Sequence, residues 1–99
     1  MKTFDVFEIG GGLYVVVQAE HLLAMNSVVV VPLLPREDFP SLRGMTVDVE
    51  INGLPYRIRA HMPLTIEARR VRHSNRVAQL SADEGERVLN GLYTILWGL

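Results

Sequence analysis

Apolar and polar positions alternate through the first two thirds of the chain, and this pattern predicts strands. Phe4, Val6 and Ile9 alternate with polar residues, Gly10, Gly11 and Gly12 supply a turn, and Leu13 to Val17 resumes a β-branched run, which together predict a first hairpin. Val28, Val29, Val30 and Val31 show no polar alternation, the pattern of a central strand covered on both faces. Pro32 cannot donate to a ladder, so a bend or bulge is expected beside it. Residues 35 to 44 carry two prolines, several charges and a terminal glycine and predict a connection with room for one helical turn.

Asn52-Gly53 is the sharpest local signal, flanked by Val47, Val49 and Ile51 before it and Leu54, Tyr56 and Ile58 after it. A two-residue type I′ turn there sets Ile51 against Leu54, Val49 against Tyr56 and Val47 against Ile58 on one face, with Asp48 opposite Arg57 on the other. The same register puts Pro55 at a non-hydrogen-bonded pair, where its missing N–H points away from the partner strand. Beyond Ala60 the pattern loosens, and Thr65 to Val71 is a candidate for one more strand ahead of the basic stretch Arg69, Arg70, Arg72, His73 and Arg76. Ser81 followed by Glu84 forms a capping box, so a helix starts at Ala82. Val88, Leu89, Leu92, Tyr93, Ile95, Leu96 and Trp97 continue it at helical spacing, with an apolar arc broad for packing on one sheet.

A chain of 99 residues with 48% hydrophobic composition has the size and material of a single domain spanning residues 1 to 99, large enough to fold without covalent staples. It contains no cysteine, which excludes disulfides, thiolate metal sites and a cysteine nucleophile and points to a reducing, cytoplasmic setting. A net charge of -1 means that nothing global draws the chain to nucleic acid or to an anionic membrane. The opening residues lack the pattern of a targeting segment, and the longest nearly unbroken apolar stretch, Val28 to Leu34, contains Pro32 and falls far short of the roughly 20 residues of a membrane span.

Candidate chemistry is sparse. The triple glycine precedes a β-branched run where a phosphate-binding loop would open a helix, so a turn is the better reading. His21, His61 and His73 lack metal-ligand spacing, and none of Ser27, Ser41, Ser74 or Ser81 sits in a nucleophile motif, so no metal, cofactor or catalytic residue is expected. The run from Arg69 to Arg76 reads either as a solvated edge or as a grip for phosphates or an acidic peptide. His21, Leu22, Leu23 and Met25 read either as a hydrophobic plug or as an exposed contact loop. Trp97 stands beside the chain end, where it either packs on its own sheet or a symmetry mate or serves as a protein-binding anchor.

Several segments in order resemble the CcdB family, the toxin half of a bacterial toxin–antitoxin pair that poisons DNA gyrase. Phe4-Asp5-Val6-Phe7 resembles its first strand, Val15-Val16-Val17-Gln18 its second, Val29-Val30-Val31-Pro32-Leu33 its apolar strand ending in Pro-Leu, and Leu80-Ser81 the start of its terminal helix. The ending Leu96-Trp97-Gly98-Leu99 resembles the family's Phe-Trp-Gly-Ile ending. The resemblance implies a mainly β protein, an SH3-like β-barrel with a small extra sheet and a C-terminal helix, assembled as a homodimer. It implies that Trp97, Gly98 and Leu99, with Leu96 and Asn90 beside them, bind the gyrase A subunit and trap the enzyme on cut DNA. The toxin would then be a wedge with no enzymatic activity and no direct nucleic-acid contact, neutralised by a cognate antitoxin whose disordered C-terminal segment wraps it. A different class of function stays open, because related toxins of the same barrel fold are endoribonucleases; Arg69 to Arg76 with His73 is then the candidate set. A non-toxic interaction domain, with Trp97 as dimer packing, is the third reading.

Overall fold

In a computed structural model, which describes residues 1–98, the chain runs β1 (Asp5–Ile9), β2 (Gly12–Val16), β3 (Ser27–Pro35), β4 (Thr46–Ile51), β5 (Leu54–Arg59), β6 (Leu64–Glu67), β7 (Arg76–Gln79) and α1 (Ala82–Trp97). Short 3-10 turns occupy Glu20–Leu22, Arg36–Asp38, Ala68–Arg70 and His73–Asn75. The strands form one sheet in the order β4-β5-β3-β2-β1-β7, with β6 beside β3, and α1 packs on it. This is the expected strands-then-helix architecture, a mainly β half-barrel closed off by one C-terminal helix.

The valine run forms the centre. On one edge β3 pairs with β2 from Val30 to Leu33; on the other it pairs first with β6, from Ser27 to Val30, and then with β5, from Leu33 to Pro35. Val17 N donates to Val29 O at 3.1 Å, which makes Tyr14 and Pro32 a non-hydrogen-bonded pair. The N–H that Pro32 lacks would therefore point to the opposite edge, at the level where β6 has ended and β5 has yet to begin. Proline is tolerated in the middle of this strand because the ladder is already changing partners there.

Both predicted hairpins are present. Ile9 pairs with Gly12 around Gly10 and Gly11, whose φ values of 60° and 86° are those of a tight left-handed turn. Asn52 and Gly53, at 53° and 82°, close the second with the expected register from Val47–Ile58 to Ile51–Leu54. Leu54 nevertheless stays 59% exposed, although its ladder partner Ile51 is buried. Pro55 falls beyond Pro35–Tyr56, the last pair that β5 makes with β3, so its missing N–H costs no ladder bond. The fourth turn and β7 replace the last part of the basic stretch, where no strand was expected. β7 is short and half polar, and only its pairing with the exposed edge of β1 makes it a strand.

Because side chains alternate across a strand, the sheet builds a core on each face. Val6, Val15, Val31, Leu33, Val47, Val49, Ile51 and Ile58 gather with Val88 and Leu92 of α1 on one face. Phe7, Ile9, Val16, Val28 and Val30 gather on the other, covered by Leu23, Ile66 and Val71. The helix begins as predicted: Glu84 N donates to Ser81 Oγ at 3.1 Å and Ser81 N to Glu84 Oε1 at 2.9 Å. Gly85 and Gly91 let α1 lie close to the chain it covers, since a Cβ at Gly91 would stand 2.6 Å from Ala60 Cβ and one at Gly85 2.5 Å from the Phe4 ring. Asp5 is the one buried charged residue described, 2% exposed, accepting from Arg76 Nε at 2.9 Å and from Lys2 N at 2.8 Å. That pairing joins β1 to β7 and occupies Arg76 Nε.

Candidate functional site

The residues expected at the helix end are brought together on one face of α1. Asn90, Tyr93 and Trp97 follow one another at three- and four-residue spacing, with Leu96 alongside, and all are exposed. Trp97 is 73% and Leu96 64% exposed, so the ring does not pack on its own sheet, which leaves packing on a symmetry mate or a protein-binding anchor. Gly98 ends the helix in the left-handed region at φ 72°, its N–H donating to Thr94 O at 2.9 Å. Leu99 lies outside the described residues. The broad apolar arc divides in two: Val88 and Leu92 serve the core, while Tyr93, Ile95, Leu96 and Trp97 are exposed.

The basic stretch separates into three roles. Arg69 Nε donates to Glu67 Oε2 at 2.8 Å and Arg76 to buried Asp5, while Arg70 and Arg72 are in no ion pair among the described residues. With Arg69, Asn75, Ile9 and Gly10 they line an open cleft of about 450 Å³ beside the β1–β2 turn. His73 is exposed on the neighbouring 3-10 turn and is not among the lining residues, so the stretch does not assemble an arginine with an acid or base in one groove. His21 and His73 are exposed and His61 approaches Met45 O at 3.3 Å through Nδ1, so the three histidines do not meet. Leu22 and Met25 are exposed while Leu23 tucks into the second core, so that segment is in part a plug and in part open to solvent.

A set that sequence reasoning missed lies where β3 gives way to its 3-10 turn. Pro35, Arg36, Glu37, Leu54, Pro55 and Tyr56 line a cleft of about 580 Å³. The ladder pair Pro35–Tyr56 creates it by setting the end of β3 against the start of β5, two segments about twenty residues apart in sequence. The Arg36 side chain is fixed: Nη2 donates to Val49 O at 2.9 Å and Nε stands 3.7 Å from Asp48 Oδ2. Arg57 holds the same Asp48 from the other side in a two-point contact, at 2.7 and 3.2 Å, and donates through Nη1 to Arg36 O and Phe39 O. The Arg57 hydrogen bonds, reinforced by the charges of Arg57, Arg36 and Arg87, hold the Asp48 carboxyl below its ordinary value against a smaller opposing effect of burial. The expected Asp48–Arg57 cross-strand pair is thus also the bracket that anchors the turn carrying Arg36 and Glu37. Chemically, this cleft combines a positioned cation, a carboxylate and a phenol with apolar walls on which a base can stack.

No family model matches the sequence, and no curated protein matches it. Solved structures do match over the whole chain. An endoribonuclease from a Mycobacterial species superposes with a TM-score of 0.84 at 15% identity, covering 100% of this chain and 92% of that one. An endoribonuclease in complex with its cognate antitoxin, also from a Mycobacterial species, gives 0.83 at 15% identity, covering 100% and 96%. MazF from Deinococcus radiodurans gives 0.78 at 14% identity, covering 100% and 97%. At such identities the likeness defines a fold: the chain has the barrel-like architecture of MazF-type toxins. It corrects the expectation of a toxin without enzymatic activity, because two of the structures it matches over its whole length are endoribonucleases. Contact with the gyrase A subunit gains no support from them. No helix among the described residues is long and apolar enough to cross a membrane.

Proposed function

We propose that this protein is the toxin of a type II toxin–antitoxin pair and that it acts as an endoribonuclease. The observation that carries the reading is the superposition of its whole length on endoribonucleases of this kind. The cleft of Arg36, Glu37 and Tyr56 supports it, because it is the place among the described clefts where a cation, a proton acceptor and a stacking surface meet. RNA carries its own nucleophile. In this cleft the 2′-hydroxyl oxygen attacks the adjacent phosphorus, its proton passes to the Glu37 carboxylate, the P–O5′ bond breaks, and the departing oxygen takes a proton from water. The products are a 2′,3′-cyclic phosphate and a 5′-hydroxyl. The Arg36 guanidinium, held by Val49 O and Asp48, stands against the negative charge that builds on the phosphoryl oxygens. Tyr56 and the two prolines give a base its stacking surface. This reading departs from the expectation of no nucleic-acid contact.

In the same reading the chain works with a cognate antitoxin, and the exposed face of Asn90, Tyr93, Leu96 and Trp97, ending in Gly98, is a protein-contact surface. The test is cleavage of a mixed-sequence single-stranded RNA by the purified protein, with Glu37→Gln alongside. Cutting by the intact protein, and a loss of about a hundredfold in the variant at unchanged thermal stability, is the expected outcome. RNA left whole by the intact, folded protein refutes the activity, and undiminished cutting by Glu37→Gln refutes the assignment of the base.

A further inference from the structure

The two clefts lie at the same end of the sheet, one beside Ile9 of the second core and the other beside Tyr56, which packs against the first. Gly12 follows the β1–β2 turn directly, Leu13 pairs with Leu33 and Pro35 pairs with Tyr56, so the Gly10 turn is level with the C-terminal end of β3. From β1 to β5 across β2 and β3 is three strand spacings, about 15 Å. Arg70 and Arg72 therefore stand a short, fixed distance from Arg36 and Glu37, on the far side of β2 and β3. Their cleft contains no carboxylate among its lining residues, and the cation most strongly offset there, Arg69, already has Glu67. The floor is bare backbone: Gly10 has φ 60°, a conformation that favours glycine, and Arg70 Nη2 lies only 3.9 Å from where a Cβ would stand.

We infer that Arg70 and Arg72, with Asn75, hold backbone phosphate of the same RNA strand a few nucleotides away from the bond cut at Glu37. This rests on the endoribonuclease reading and adds the path of the substrate. Arginine suits the role because its planar fork pairs two donors with two phosphoryl oxygens and keeps its charge at every relevant pH. The side-chain-free turn lets a phosphate come down to the level of the main chain, and a neutral protein needs such a local patch to hold a polyanion at all. An acidic peptide offers the same charge, but the alignment of this cleft with the cutting cleft favours a continuous strand that occupies both.

The experiment measures binding apart from cutting. A fluorescent single-stranded RNA with every 2′-hydroxyl methylated cannot be cleaved, and its anisotropy gives Kd at several salt concentrations. Arg70→Ala with Arg72→Ala is expected to weaken binding about tenfold and to make the slope of log Kd against log salt shallower by about 1.4, since each phosphate contact on a single strand contributes roughly 0.7. Arg70→Lys with Arg72→Lys should keep most of the slope. Both arginines are exposed and free of ion pairs among the described residues, so a melting curve should show the fold unchanged. If the intact protein neither cuts RNA nor binds the probe, the endoribonuclease reading falls and takes this inference with it. If the intact protein cuts and binds while the alanine variant keeps its affinity and slope, the phosphate grip is refuted and the activity stands. Loss of binding to a polyglutamate peptide with RNA binding untouched would overturn it in favour of an acidic protein partner.

Discussion

Replacing Gly91 by alanine sets two ordinary effects against each other. In an exposed helix the change stabilises by about 1 kcal/mol, because glycine has more backbone freedom to lose. Here the new methyl would stand 2.6 Å from Ala60 Cβ, and 3.4 and 3.5 Å from the carbonyl oxygens of Met45 and Gly44. Ala60 is fully buried and its Cβ is fixed to the backbone just beyond β5, so no flexible side chain can swing aside. Relief requires α1 to lift from the sheet or the backbone around Ala60 to yield, an overpacking cost at the upper end of about 1–3 kcal/mol. The net expectation is a destabilisation of about 2 kcal/mol, which for a chain of this size lowers Tm by roughly 10 °C. Urea unfolding of Gly91→Ala, Ala60→Gly and the double variant measures it, and the second change should return part of the loss by removing the atom that collides. A Gly91→Ala protein more stable than the original would show that the helix does not make this close approach.

Two further outcomes follow from the charges. Asp48 titrates below its ordinary value in the folded chain, so its contribution to stability is present above the unfolded pKa and is lost as pH falls through the lower folded one. Asp48→Asn should accordingly flatten the fall of the urea midpoint below about pH 4, and an unchanged acid limb would refute the pairing with Arg57 and Arg36. Arg76→Ala leaves buried Asp5 with Lys2 N as its remaining partner and should cost about 1–2 kcal/mol by urea unfolding; no cost would show that Asp5 finds water in place of the guanidinium.

Information held within a few neighbouring residues was legible from the sequence. The Asn52-Gly53 turn, the register that pairs Asp48 with Arg57, and the Ser81–Glu84 cap depend on local dihedral preferences and short-range hydrogen bonds, and the structure reproduces them. The apolar run of β3 was legible as central for the same reason, since four valines without alternation suit only a strand covered on both faces. The folded chain alone decided what depends on distant segments meeting. β7 is a strand because the edge of β1 is free to receive it, and Asp5 is buried with a charge because Arg76, seventy-one residues away, comes to it. The cleft of Arg36, Glu37 and Tyr56 exists because β5 takes over the edge of β3 beyond Pro32, a handover that leaves no periodic trace in either segment. Trp97 showed the same division: helical spacing placed it on α1, while its exposure within the chain emerged only from the packing of that helix on the sheet.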